Sequence, residues 1–178
     1  MHGTINVRPD TVEREPRRFF RPNGNGKINN VFSAFGNIRG RAAEVNAVKA
    51  FAPRWRNRRR YAQVIKQVRL ATPFEDNELK YDIVIETFSP KFPEIGVQIK
   101  TSSDDYRAFQ DKHPDVPVVL LGPFEFDHMA IIRKKVMFTI LLRNPGLSEE
   151  MARLGCQVSP RVLETIASLD PGEKILLF

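Results

Sequence analysis

The sequence has little cysteine, tryptophan or histidine, with one, one and three residues among 178. The single cysteine, Cys156, excludes an internal disulfide framework and a zinc cluster of several thiolates. The longest apolar run, near residues 136–142, is far shorter than the roughly 20 residues of a membrane-spanning helix. The N-terminal residues lack the apolar core of a signal peptide. We therefore expect an intracellular protein with no membrane partner, either cytoplasmic or, in a bacterium, associated with the nucleoid.

Hydrophobic residues make up 42% of the chain and charged residues 28%, a balance that permits a packed core. Turn-forming residues gather near the N-terminus, where three prolines precede the cluster Asn23–Gly26. We therefore predict a flexible, basic arm over residues 1–36 and one α/β domain over residues 37–178. The arm also contains four phenylalanines that could attach it to the domain or to another subunit: Phe19, Phe20, Phe32 and Phe35.

Positive charge is concentrated in the first 60 residues. They hold 14 of the 28 Lys and Arg but 4 of the 21 Asp and Glu, a net charge of +10, which leaves −3 for residues 61–178. Such a segment favours a polyanionic partner such as DNA, although a merely solvated surface is the alternative. The arginines predicted to contact the DNA backbone are Arg39, Arg41, Arg54, Arg56, Arg58, Arg59 and Arg60. Trp55, within this cluster, could stack on an unpaired base or close the core at the end of a helix.

The hydrophobic pattern predicts a helix, a three-strand meander, a second helix, a fourth strand and a mixed C-terminal part. Helices are expected over residues 37–52, from Ser102 to before Pro114, over 148–155 and over 160–168. Strands are expected over residues 61–72, 81–86, 95–101, 117–122 and 131–142, with helix as the alternative for 58–68. This order is typical of an α/β domain with a mixed sheet.

Four side chains on these elements have the chemistry of a phosphodiester-cleaving site. Gln98 and Lys100 are two residues apart on a strand and therefore project from one face. Asp82 lies on the preceding strand of the meander, and Glu44 lies on the first helix. Carboxylate and amide oxygens suit Mg²⁺, and a neighbouring lysine can orient water or stabilise charge on phosphate. Each residue also has an ordinary structural explanation: Glu44 pairing with an arginine, Asp82 satisfying turn amides, and the other two covering a solvent face.

At these residues the sequence resembles the PD-(D/E)XK nuclease superfamily. The segment RGRAAE at residues 39–44 looks like the first helix of archaeal Holliday-junction resolvases. The segment VQIKTS at residues 97–102 looks like the Gln-x-Lys motif of Mrr-like restriction nucleases, and PVVLL at 117–121 fits the same layout. The resemblance runs from Gly40 to about Gly122 and implies a restriction-endonuclease-like core, a mixed β-sheet flanked by helices.

The resemblance also implies roles for individual residues. Glu44, Asp82 and Gln98, with the backbone carbonyl of Ile99, would hold Mg²⁺ or its substitute Mn²⁺, and Lys100 would be the catalytic lysine. The protein would be a DNA endonuclease acting on branched DNA or a specific duplex, without a small-molecule cofactor. A homodimer is implied as well, since resolvase-like relatives cut two strands as dimers.

The sequence departs from the family pattern at the metal site. Gln98 replaces the usual acidic residue, which lowers the negative charge of the site by one, and Tyr81 replaces the proline before Asp82. The tyrosine is widely tolerated at that position, but Gln98 and the phenylalanine-rich arm support an alternative, a catalytically inactive nuclease-fold protein that binds DNA or is an interaction subunit of a larger complex. Two further groups of carboxylates are reserve ligands: Glu86, on the strand face of Asp82, and the acidic run Glu75, Asp76 and Glu78, otherwise a solvated hairpin tip.

Overall fold

A computed structural model describes residues 25–52, 63–125 and 128–168, with side chains from Gly36 onward. Its helices are α1 (Asn25–Ala50), α2 (Pro73–Asn77), α3 (Ser103–Lys112), α4 (Met129–Arg143), α5 (Leu147–Arg153) and α6 (Pro160–Ser168). Its strands are β1 (Ile65–Leu70), β2 (Ile83–Thr87), β3 (Glu94–Lys100) and β4 (Val118–Leu120). Within these ranges, no helix combines the length and the apolar character needed to cross a membrane.

The four strands form one mixed sheet in the order β1-β2-β3-β4. β1 pairs with β2 and β2 with β3 in antiparallel fashion, and β4 lies parallel to β3, with Gln98 opposite Val118. The parallel pair requires a crossover, which α3 supplies. The predicted α/β class with a mixed, helix-flanked sheet is thereby confirmed, and residues 61–72 contain a strand rather than a helix.

The main core lies between one face of the sheet and the helices α1 and α4. Alternation along β2 and β3 places side chains such as Ile83, Ile85 and Ile99 on this face. In α1 the buried side chains Ala43 and Ala47 are small, so the helix backbone can approach the strands closely. Each fully buried isoleucine on this face contributes about 2 kcal/mol relative to an exposed one.

The opposite face of the sheet is covered beside β3 and β4 by α3. Ser102 caps this helix, its side chain accepting a hydrogen bond from the Asp105 backbone N–H at 3.2 Å. Tyr106 and Gln110 are its buried side chains. Because side chains alternate along β3, Gln98 and Lys100 project on the side of α3, away from the core that contains Ile99.

The strand predicted over residues 131–142 is wrong, because this segment lies in the helix α4. Its β-branched, apolar composition favours a strand, but Ile132, Val136 and Ile140 are all buried at four-residue spacing. The intervening Lys135 is also buried, and its ammonium donates hydrogen bonds to Glu125 at 2.8 Å and to the Leu120 carbonyl at 3.2 Å. A helix buried on most sides lacks the polar face that would identify it from sequence.

The predicted boundary at residue 37 is also wrong for the first helix, because α1 begins at Asn25. Asn25 and Gly26, which the sequence pattern places in a turn cluster, instead open the helix, in accord with the preference of both residue types for helix N-termini. α1 is 26 residues long, or about 39 Å at 1.5 Å per residue. None of residues 36–42 is buried, so packing on the sheet begins at Ala43. The remainder of the predicted arm, residues 1–24, lies outside the described residues.

Candidate active site

One cleft of about 560 Å³, located where β2 begins and β3 ends, is lined by all four predicted site residues. α1 contributes Glu44, the residue before β2 is Asp82, and β3 contributes Gln98 and Lys100. Ile99 also lines the cleft, as do two carboxylates that the motif does not include, Asp76 and Asp105. The structure therefore brings together residues from three separate segments of the chain.

Asp82 is fixed by hydrogen bonds from both its backbone and its side chain. Its backbone N–H donates to the Val97 carbonyl at 3.0 Å, and its own carbonyl accepts from the Ala71 N–H at 2.9 Å. The side-chain oxygen Oδ2 accepts from the Ile99 N–H at 2.6 Å and from Nε2 of Gln98. The carboxylate is thus held at the start of β2, between β1 and β3, and one of its two oxygens already accepts hydrogen bonds.

The pKa of Asp82 is raised to about 6, chiefly because burial disfavours the charged form. The Ile99 N–H and the nearby Lys100 ammonium oppose this shift, whereas the negative charges of Glu44 and Asp76 add to it. Three carboxylates that repel one another around a partly desolvated centre form an environment that a cation would stabilise.

Glu44 reaches the cleft from α1, one residue beyond the buried Ala43. Its Oε2 accepts a hydrogen bond of 2.6 Å from Nη1 of Arg41. The Arg41 side chain is 63% exposed, and such surface pairs contribute about 0–1 kcal/mol, so the contact is easily exchanged. Arg41 and the exposed Arg39 were both predicted to contact DNA, and Arg41 lines the cleft itself.

Gln98 and Lys100 project into the cleft from neighbouring outward positions of β3. Gln98 is 6% exposed, and its amide nitrogen faces Asp82. The Lys100 ammonium lies 4.7 Å from the centre of the Phe109 ring on α3, in a cation–π contact. Across the part of the chain that the structure describes, Lys100 makes no ion pair with a carboxylate, so its charge is available to a ligand.

Asp76 reaches the cleft because a short helix is built where the sequence predicts a solvated tip. Thr72 and Glu75 form a capping box, and Arg69 binds Glu75 with two nitrogens at 2.7 and 2.8 Å. These contacts lower the pKa of Glu75 to about 2. The Thr72-Pro73-x-Glu75 pattern is a sequence signal that could have predicted this helix.

The structure excludes Glu75 and Glu86 from the site. Glu75 is bound by Arg69, and Glu86 accepts hydrogen bonds from Gln67 and from Arg69 at the far end of the strand pair. Glu86 does lie on the strand face of Asp82, but the four-residue separation along the strand places it beside other partners. The arginines Arg54, Arg56, Arg58, Arg59 and Arg60 and the neighbouring Trp55 lie outside the described residues.

The donor chemistry of the cleft fits a hard cation. Two carboxylates, an amide oxygen and the Ile99 carbonyl are the kinds of ligand that Mg²⁺ takes together with water. Among residues 25–52, 63–125 and 128–168, however, no three His, Cys, Asp or Glu side chains form a ready metal cluster. Gln98 presents nitrogen to Asp82, and a half-turn of its amide would present oxygen instead.

No protein-family model, curated protein or solved structure matches this chain.

Proposed function

We propose that the protein is a metal-dependent DNA endonuclease with a restriction-endonuclease-like core, which hydrolyses phosphodiester bonds in branched DNA or in a specific duplex. The observation that carries this proposal is the meeting of Glu44, Asp82, Gln98 and Lys100 in one cleft. These residues come from α1, from the position before β2 and from β3, so they come together only because the chain folds in this way.

Glu44, Asp82 and Gln98, with the Ile99 carbonyl, are the proposed ligands of Mg²⁺ or Mn²⁺. When bound, the ion would supply charge neutralisation for the scissile phosphate. Asp82 must give up its proton to act as a ligand, and Gln98 must turn its amide oxygen inward. Lys100 would orient the attacking water and hold a phosphate oxygen, since its ammonium has three donors and forms no ion pair with a carboxylate among the described residues.

The positive charge of residues 1–60 supports DNA as the polyanion, because phosphate contacts supply most of the affinity of non-specific DNA binding. Arg41, which pairs with Glu44 and lines the cleft, would exchange Glu44 for a phosphate when a cation occupies the cleft. Cutting both strands of a duplex would require two such clefts, which is the reason to propose a homodimer.

Cleavage of supercoiled plasmid and of a four-way DNA junction tests this function. The purified protein is incubated with Mg²⁺, Mn²⁺ or EDTA beside Lys100→Ala and beside Lys134→Ala, which removes an exposed lysine on α4. We expect metal-dependent cutting that Lys100→Ala lowers at least about 100-fold and Lys134→Ala leaves unchanged. Equal cutting by both variants would overturn the assignment of Lys100.

One observation favours a second candidate, a catalytically inactive nuclease-fold subunit that binds DNA or a protein partner. The Gln98 amide donates a hydrogen bond to Asp82 and so satisfies the carboxylate without a cation. Under this alternative, DNA binding would be the same in Mg²⁺ and EDTA, and no variant of the cleft would alter it. Gln98→Glu separates the candidates, because an added carboxylate should strengthen Mn²⁺ binding in an enzyme whose donor set is otherwise intact.

A further inference from the structure

A second cleft, which we call the distal cleft, continues from the candidate active site along α3. It has a volume of about 480 Å³ and shares Asp76, Gln98, Lys100 and Asp105 with that site. Its other wall is formed by Lys80, between α2 and β2, and by Phe109, Lys112 and His113 at the end of α3. The two clefts are therefore adjacent, and a ligand longer than one of them would reach the other.

The charges of the two clefts differ in sign. Glu44 and Asp82 belong to the active-site cleft alone, whereas Lys80, Lys112 and His113 belong to the distal cleft alone. Within the described ranges, neither Lys80 nor Lys112 makes an ion pair, although Arg69, Lys135 and Arg153 all do. Asp76 and Asp105 also line the distal cleft, but its three lysines, Lys80, Lys100 and Lys112, outnumber these two carboxylates, so the cleft attracts an anion.

Lys80 is held in place by local structure. Its backbone adopts φ 62°, a conformation that residues other than glycine rarely take. Its ammonium donates one hydrogen bond to the Asn77 carbonyl, which leaves two of its three donors for a ligand. The cleft also has an aromatic floor, made up of Phe109 and His113, whose ring centres lie 4.8 Å apart. The Lys100 ammonium lies over the Phe109 ring.

We propose that Lys80 and Lys112 bind a backbone phosphate of the nucleic-acid strand next to the phosphate held in the active site. This inference rests on the proposed function, since it takes the ligand of the neighbouring cleft to be DNA. Lys100 lines both clefts and therefore lies between the two phosphates, and the aromatic floor supports the sugar that joins them. The pair fixes the position of the strand along the cleft and takes no part in bond breaking.

Binding without cleavage tests this site. Affinity for a fluorescent duplex is measured in EDTA for the wild type, for Lys80→Ala/Lys112→Ala and for the control Lys49→Ala/Lys134→Ala. The control removes the same charge from exposed positions on α1 and α4 that line neither cleft. We expect about a tenfold loss or more for the first pair, with the salt slope reduced by about 0.9 for the one phosphate that is no longer neutralised, and less than about a threefold loss for the control. Equal losses would overturn the site.

A second measurement locates the phosphate. Uncharged methylphosphonate is placed at one position of the duplex at a time, and the affinity of each is compared between proteins. One position should weaken the wild type and have no effect on Lys80→Ala/Lys112→Ala, while Lys80→Arg/Lys112→Arg retains the wild-type response. No such position, or equally strong competition by millimolar inorganic phosphate, would overturn the inference in favour of a free anion.

The two proposals fail separately in these experiments. If Lys80→Ala/Lys112→Ala loses DNA affinity and the control does not, but the wild type never cuts DNA, the endonuclease proposal is wrong and the phosphate site is supported. Metal-dependent cutting with equal binding losses for both lysine pairs would do the reverse. Where cutting occurs, Lys80→Ala/Lys112→Ala should raise KM and leave kcat unchanged, because the phosphate it releases is not the one that reacts.

Discussion

Asp82 is subject to opposing demands from stability and from function. Burial raises its pKa to about 6, well above the value of about 3.9 in an unfolded chain. The folded protein therefore binds this proton more tightly than the unfolded one. The free energy of unfolding should fall as the pH rises from about 4 to 6, where Asp82 ionises in the folded state, and then stay lower. A cation bound in the cleft would recover that stability.

Asp82→Asn should accordingly stabilise the metal-free protein and abolish metal-dependent cleavage. The neutral amide avoids the cost of an ionised, partly buried carboxylate while its oxygen still accepts from the Ile99 N–H. We expect a gain of about 1–2 kcal/mol at pH 7.5, less than the raised pKa alone implies because the amide is a weaker acceptor than a carboxylate. Urea denaturation in EDTA at pH 4 and 7.5 measures it. The gain should vanish at pH 4, and a variant less stable at pH 7.5 would contradict the argument.

At the scale of secondary-structure elements, the β2–β3 hairpin depends on a close contact between Gly96 and Tyr81. The aromatic ring of Tyr81 packs directly against Gly96, so that a Cβ at position 96 would overlap the ring. Tyr81 directly precedes Asp82, so the packing of this ring on the glycine helps to set where β2 begins.

Gly96→Ala should destabilise the protein by about 1–3 kcal/mol, since the Tyr81 ring must move to admit the methyl group. The matched control is Gly40→Ala in α1, where an added Cβ meets nothing within 4 Å and helix propensity predicts a gain of about 0.5–1 kcal/mol. Thermal unfolding of both variants gives the comparison. Destabilisation of both by the same amount would show that the methyl group at position 96 meets no special restraint.

The elements that the sequence predicts correctly are those whose signals are local. Ser102 with Asp105 marks the start of α3, and the alternation in β3 gives the face that Gln98 and Lys100 share. The helix α4 is not predictable in this way, because its surroundings in the folded protein, rather than its own pattern, determine its conformation. The contribution of Asp76 is hidden for a similar reason, since it depends on Arg69 holding Glu75.

At the scale of the whole molecule, the basic segment and most of the proposed site residues lie in different parts of the chain. The first 60 residues carry +10, whereas the remaining residues, which contribute Asp82, Gln98 and Lys100, carry −3. Glu44 is one of four acidic residues in the basic part, and α1 carries it to the cleft. The helix therefore links the segment that would attract DNA to the site that would cut it.

The triple substitution Arg58→Ala/Arg59→Ala/Arg60→Ala should weaken binding to duplexes of any sequence. It should also reduce the salt slope, meaning the magnitude of the fall of log affinity with log salt, by about 2.7, or about 0.9 for each phosphate that is no longer neutralised. Fluorescence anisotropy over a range of about 50 to 200 mM salt, in EDTA, measures both quantities. The control triple Lys49→Ala/Lys134→Ala/Arg161→Ala removes the same charge from exposed positions on three helices. If net charge alone governed affinity, the two triples would have equal slopes. A lower slope for the arginine triple alone means that these three residues contact phosphates directly, because counterions are released only where a cation meets the DNA backbone.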